Sequence, residues 1–303
     1  SITPMDTLKE GRGVTGDRRR RLSSGLVVAQ LALSVVLLVG AGLFLRTFAF
    51  LSGAPLGFET DGVLVASVSA QRAAAAPADR LPLFEQSLEA VHAVPGVESA
   101  AASLVTPVRG MRLQTPVDAS GAEPLPDGDR GVLVNHVSPE WFETLGTPLI
   151  AGRNFTDSDQ AGAPSVAIVN EAFARTFFNG RSPLGESIGR LVPAQPSVPI
   201  VGVSRDAVYR ALREGVLPTV YLPFAQSREA GFFDLMSLSI RAGSGSWEHL
   251  ARNVTAALNG VNPDLSWTLR PLDRQIDASI TQERVTAVLS GFFGFVAVLV
   301  AGL

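Results

Sequence analysis

The chain has 303 residues, 46% hydrophobic and 17% charged, with a formal net charge of −3 and a mean hydropathy of +0.26. Soluble globular domains carry roughly 25% charged residues, so the deficit points to a membrane. The absence of Cys excludes disulfides, thiolate nucleophiles and Cys-based zinc sites, and the one lysine, Lys9, is followed by Glu10 and so cannot belong to a nucleotide-binding P-loop.

Residues 1–21 are read as a cytoplasmic basic segment ending in Arg18, Arg19, Arg20 and Arg21. No charge occurs from Leu22 to Leu45, and the core of that stretch, LVVAQLALSVVLLVGAGLFL, is apolar all round. About 20 such residues at 1.5 Å each span a bilayer core, so 22–50 is predicted to be a transmembrane helix. The arginines before it are its topology determinants: they hold the N-terminus in the cytoplasm and place the chain beyond the helix outside. A cleaved signal peptide is the rival reading, but its apolar region would be shorter. Gln30 is the one strongly polar side chain within the span and is placed to bond to a neighbouring helix.

The middle of the chain is mildly acidic. Residues 1–25 hold six basic and three acidic side chains, and the remainder holds 19 and 25. A surface of that sign argues against nucleic acid as a partner. VLVASVS (Val63 to Ser69) reads as a buried strand. A helix comes next with the stripe Leu81, Phe84, Leu88 and Val91, with Pro82 placed in its first turn and Pro95-Gly96 as its stop. The chain then returns as a strand over Val97 to Val105. The same order recurs late in the chain. Met236, Leu238 and Ile240 alternate with Ser237, Ser239 and Arg241 in a half-buried strand. A helix capped by Ser246 comes after it, with the stripe Trp247, Leu250, Val254, Ala257 and Val261, and then a short strand around Trp267 and Leu269.

Between these two β-α-β units lies an insertion, 106–234, with its own elements. Strands are predicted at Val132 to Val137, Ser165 to Val169, Val198 to Val203 and Thr219 to Leu222. A short helix surrounds Trp141, and Asn170 caps a second one. The fold class is α+β: an extracytoplasmic domain over 51–283, made of two β-α-β units (51–105 and 235–283) bracketing the inserted α+β subdomain and flanked by transmembrane helices. VTAVLSGFFGFVAVLVAGL, from Val285 to Leu303, starts a second span over 284–303, and the chain reads as a piece cut from a longer one.

Candidate chemistry is sparse. His92, His136 and His249 are far apart and lack any metal-ligand spacing. Asp157 and Asp159 sit in NFTDSDQ without the rest of a calcium loop, which reads as a solvated turn. GSGS (Gly243 to Ser246) matches neither a nucleophile elbow nor a dinucleotide fingerprint. Asn154 and Asn253 begin sequons, which matter only in a glycosylating pathway. No catalytic residue, no metal site and no cofactor is expected, and the chain is not read as an enzyme.

The segments LVVAQLALSVVLLVGAGLFLRTF, VSPEWFETLGTPLIAGRNFTDSD, APSVAIVNEAFARTFFNGRSPLGESIG and IVGVSRDAVYRALREGVLPTVYLPFAQ resemble, in order, the MacB/FtsX-type ABC transporter permeases, most of all the large duplicated ones with a MacB-like periplasmic core domain. The resemblance implies that 51–105 and 235–283 form a porter-like subdomain. It further implies a cytoplasmic ABC ATPase as partner, contact with membrane lipid, a second permease half or dimer, and the bacterial inner membrane as location. The implied role is a permease subunit that couples ATP hydrolysis by that partner to motion of the periplasmic domain for export or efflux. The alternative is a membrane-tethered periplasmic binding or sensor module.

Overall fold

A computed structural model describes residues 28, 30–43, 46, 55–73, 77–107, 114–122, 125–126, 130–191, 197–209, 215–230, 235–243 and 247–301. The chain divides into two compact units, Pro55–Ser279 and the remainder.

Helix α1 (residues 30–43) comes first in the chain. The Pro55–Ser279 unit then begins with β1 (Val63–Ser69), α2 (Pro77–His92) and β2 (Val97–Ser103), and its last strands and helix are β11 (Leu235–Ala242), α5 (Trp247–Val261) and β12 (Ser266–Pro271). These four strands run side by side in the order β12-β1-β11-β2, all neighbours antiparallel. Each β-α-β unit therefore crosses over one strand of the other, which is the split arrangement of two interleaved β-α-β units. α2 and α5 pack on each other. Their apolar stripes meet in one core with Leu64, Ala66, Val68, Leu238 and Ile240.

The predicted elements hold here with three corrections. α2 begins at Pro77, so Pro82 is its sixth residue and lies inside the helix, where its missing N–H leaves one carbonyl of the preceding turn without a helical partner. In α5 the buried line is Leu250, Val254 and Leu258, while Trp247, at the first position, is 39% exposed. In β11, Ser237 and Ser239 are fully buried, so this strand has no solvated face. Its second face is covered by α3 (Trp141–Thr144), which packs on β2 and β11. Ser246 lies outside the described residues.

The remaining strands continue the same sheet in the order β5 (Gly131–Val137), β10 (Thr219–Pro223), β7 (Ala167–Asn170), β9 (Val198–Ser204), β8 (Ser187–Gly189) and β4 (Asp118–Ala119). Two short strands, β3 (Gln114–Pro116) and β6 (Leu149–Gly152), flank β5 and β9. One register pair, Ser103↔Val137, joins this part to β2. The apolar packing is less divided than the sheet: Leu133, Trp141, Phe142, Ile168 and Tyr221 belong to the same core as β1 and β11. A second core, around Phe173, Phe177, Ile188 and Val198, lies within the inserted part. It holds helix α4 (Glu171–Phe178), whose cap is the predicted Asn170: its Oδ1 accepts from Phe173 N at 3.0 Å and from Thr219 N at 2.9 Å.

α6 (Leu272–Ala301) is one unbroken helix that begins thirteen residues before the predicted apolar segment. Among the described residues, no helix is long and apolar enough to cross a membrane. Large apolar side chains are nevertheless exposed along α1 and the later part of α6, among them Val36 at 67%, Val288 at 64% and Phe295 at 64%. A Cβ built on Gly294 would meet Ala41 Cβ at 3.0 Å, so the two helices come close there, where one of the facing residues has no side chain. Arg18 to Arg21 and Lys9 lie outside the described residues.

Candidate functional site

The segment Leu56–Glu59 leads into β1 without periodicity of its own, and its polar groups are paired with the inserted part. Leu56 O accepts from Val208 N at 3.0 Å, Gly57 O from Thr147 Oγ1 at 3.0 Å, and Glu59 N donates to Leu145 O at 2.8 Å. Gly57 has φ +77°, and a Cβ there would lie 1.7 Å from Asp206 O, so no side chain fits. Arg241, on β11, closes this seat from the other side. Its Nε and Nη2 donate to Thr144 O at 3.0 and 2.7 Å, and its Nη1 lies 2.9 Å from Glu59 Oε2. An open depression of about 360 Å³ borders the seat, lined by Phe142, Gly146, Thr147, Pro148 and Leu149 among others.

At the other end of the unit α6 is rooted in the main core. Leu272 is fully buried, Ile276 packs against the same core, and Gln275 Nε2 donates to Pro107 O at 3.2 Å. The chain thus enters on the inserted part and leaves from the β12 side.

Inside, a polar cluster fixes the junction of the two parts. Val105 N donates to Asn135 Oδ1 at 3.0 Å, and Asn135 Nδ2 donates to Val105 O at 2.9 Å and to Tyr209 Oη at 3.1 Å. Trp141 stacks on Tyr209, with centroids 6.1 Å apart, and tilts against Tyr221 at 5.3 Å. Burial pushes both tyrosine hydroxyls up, so they stay neutral. Asp206 accepts from Ala172 N at 2.7 Å and from Arg175 Nη2 at 2.5 Å, which ties the strand end beneath Gly57 to the start of α4.

The structure does not bring the histidines together. His92 Nε2 meets Ala100 O at 2.6 Å, His249 Nδ1 meets Arg252 Nη2 at 2.8 Å, and His136 is buried with Nδ1 3.4 Å from Pro223 O. Burial lowers the His136 pKa to about 4 against that backbone contact. Among the described residues no group of three or more His, Cys, Asp or Glu is placed to hold a metal ion.

The solvated turn expected at NFTDSDQ is wrong for Asp159, which is only 6% exposed. It takes a two-pronged contact from Arg153, at 2.8 and 3.0 Å, and accepts from Thr156 N at 2.9 Å. The Arg153 hydrogen bond holds the carboxyl below its usual range despite its burial. The spacing of Arg153 and Asp159 was the available signal, and it carries no specificity. Asn154 uses its side-chain amide to reach Pro139 O at 2.8 Å, whereas Asn253 is exposed on α5.

The fold is an α+β domain built on interleaved β-α-β units with an inserted part joined to them by polar contacts. Residues 23–264 match the family of the MacB-like periplasmic core domain, and the chain belongs to that family. It is 27% identical over 175 residues to the uncharacterized ABC transporter permease YknZ of Bacillus subtilis (strain 168), over 56% of this chain and 42% of that one. The chain therefore spans less than half the length of this curated relative. Among solved structures it is similar to the periplasmic region of MacB from Actinobacillus actinomycetemcomitans, with TM-score 0.47 and 12% identity, over 72% of this chain and 92% of that one. It is also similar to the extracellular domain of the noncanonic ABC-type transporter YknZ from Gram-positive bacteria, with TM-score 0.43 and 18% identity, over 61% and 88%. The resemblance to MacB-type ABC permeases drawn from the sequence segments agrees with the family match.

Proposed function

We propose that the chain is the membrane-anchored, extracytoplasmic part of an ABC transporter permease that works with an ATPase on another chain or in another part of its own gene product. The family match over 23–264 carries this reading. Two further observations support it: the apolar side chains left exposed on α1 and α6, and the continuity of α6 from the domain core into the second apolar helix. Lipid would cover those side chains, and about 30 Å of hydrocarbon matches about 20 helical residues. Arg18 to Arg21 would keep the N-terminus in the cytoplasm of a bacterial inner membrane, with Pro55–Ser279 outside. ATP hydrolysis by the partner would move the spans and, through them, the outer domain, for export or efflux, with a second permease half or copy completing the assembly.

The topology has a direct test because the chain has no cysteine. In intact spheroplasts an impermeant maleimide should label Asn253→Cys and spare Ser24→Cys, and equal labelling overturns the arrangement. The permease role is tested by tagging the gene product that contains this chain and purifying it from native membranes. An ABC ATPase should be retained. Its absence would favour the tethered binding or sensor module.

A further inference from the structure

Four buried polar groups lie where α3 covers the β2–β11 face. Ser103 Oγ on β2, Ser239 Oγ on β11, and Trp141 Nε1 and Thr144 Oγ1 on α3 have no hydrogen-bond partner among the described residues, and all four residues are wholly buried. The strand register places the two serines. Ser103 lies opposite Ser237 and Ser239 opposite Ala101, so Ser103 and Ser239 are diagonal neighbours on one face of the sheet. α3 packs on both strands. It is pinned at one end by Ser138, whose Oγ accepts from Ala102 N at 3.1 Å and whose N–H donates to Ala102 O at 2.9 Å. At the other end Thr144 O accepts from Arg241. Trp141 and Thr144 are three residues apart in that turn, so their side chains share one face of it.

Buried polar side chains almost always have a partner, because an orphaned hydroxyl or N–H gives up its bonds to water without replacement. Four such groups in one seam call for a common ligand. Each hydroxyl can donate and accept, and the indole N–H donates. That set suits water, which makes two to four hydrogen bonds in a buried polar site. It does not suit a metal ion, since none of the four is a carboxylate or an imidazole. Nor does it suit an anion, because the nearby Arg241 is already matched by Glu59 and a buried unpaired charge is far costlier than a neutral ligand.

We propose that the seam between α3 and the β2–β11 face is an internal hydration site, in which ordered water bonds Ser103, Ser239, Thr144 and Trp141. α3 is then held to the sheet through water as well as through the packing of Trp141. The site goes beyond the permease reading and does not depend on it.

The experiment uses the 303-residue chain in nanodiscs, with ¹⁵N in the indoles of its three tryptophans, and water itself is the probe. The Trp141 indole resonance, assigned against Trp247→Phe and Trp267→Phe, should show a rotating-frame Overhauser cross-peak to water. Its sign should be that of close contact and not of proton exchange. All three tryptophans lie in the Pro55–Ser279 unit, so their fluorescence follows its unfolding in urea.

Ser103→Ala, Ser239→Ala and Thr144→Val should each raise the unfolding equilibrium constant by about five- to tenfold, because each takes a bond from the water. A dry seam predicts the reverse: removing a hydroxyl that has no partner relieves its desolvation cost and lowers the constant. Thr144→Val keeps the shape of the side chain, so it carries the comparison even where a strand variant fails to fold. The proposal is overturned if the Trp141 resonance lacks the water cross-peak. It is equally overturned if the constant falls, or stays within about twofold, in at least two of the three variants.

Discussion

Asn135 holds both backbone polar groups of Val105, accepting from its N–H at 3.0 Å and donating to its carbonyl at 2.9 Å. A side chain thus supplies the ladder pair that β2 and β5 lack beyond Ser103↔Val137. Replacing Asn135 by Ala strands the two buried backbone groups of Val105, and each orphaned group costs about 1–3 kcal/mol. Asn135→Ala should therefore destabilise by about 3 kcal/mol in denaturant unfolding. A loss below about 1 kcal/mol would show that the junction repairs itself.

Asp159 ties the Arg153 strand end to its loop. Its folded pKa is lowered, first by the Arg153 hydrogen bond, so its contribution is present above the unfolded value near 4 and fades as pH falls through the folded value. Arg153 is 47% exposed, so water screens the pair and the carboxylate's worth is set at about 1 kcal/mol. Asp159→Asn should lose that amount at pH 7, and the loss should shrink as the pH falls below the unfolded value near 4, measured by paired urea titrations.

His136 acts in a different window. It is buried and neutral, with a pKa near 4 against 6.5 for the free side chain, so below about pH 6.5 the unfolded chain takes up a proton that the folded chain refuses. Stability falls from about pH 6.5 toward pH 4, by about 3 kcal/mol when integrated over that interval. The difference in unfolding free energy between the parent and His136→Gln should change across this range, and a pH-independent difference would refute the assignment.

The contact of Gly294 with Ala41 offers a test within the other unit. Their Cβ positions are 3.0 Å apart, close to the 3.5–4.5 Å typical of a disulfide. With no native cysteine to compete, Ala41→Cys/Gly294→Cys should cross-link on mild oxidation and shift in non-reducing electrophoresis. Gly294→Leu with Ala41→Cys has no second thiol and supplies the uncrosslinked reference.

The long strands and helices were legible because their side chains obey one period. Val63–Ser69 is an unbroken small and apolar run, and Leu250, Val254 and Leu258 recur at helical spacing. β3, β4, β6 and β8 were not, since strands of two to four residues pairing at the sheet's margins carry too few alternations to register. Ser237 and Ser239 misled because alternation with Met236, Leu238 and Ile240 normally marks a wet face, whereas here serine is small enough to lie under α3. The Leu56–Glu59 seat was invisible for another reason. Its partners on the inserted part lie 86 to 152 positions downstream, from Leu145 to Val208, Arg241 lies farther still, and nothing in GFET marks a glycine that must touch a distant carbonyl.

Ser103 on β2 lies directly opposite Ser237 on β11, so the chain departs for the inserted part and comes back at the same rung. The strands on either side of that rung keep their register whatever the length of the excursion. The face that the excursion covers is lined by Ala101, Ser103, Ser237 and Ser239, small side chains that do not demand an apolar lid. Divergence can therefore lengthen or shorten the outer part of the excursion, around the second core, while the four interleaved strands and the residues packed on them stay as they are, and it is in that outer part that members of one family should differ most.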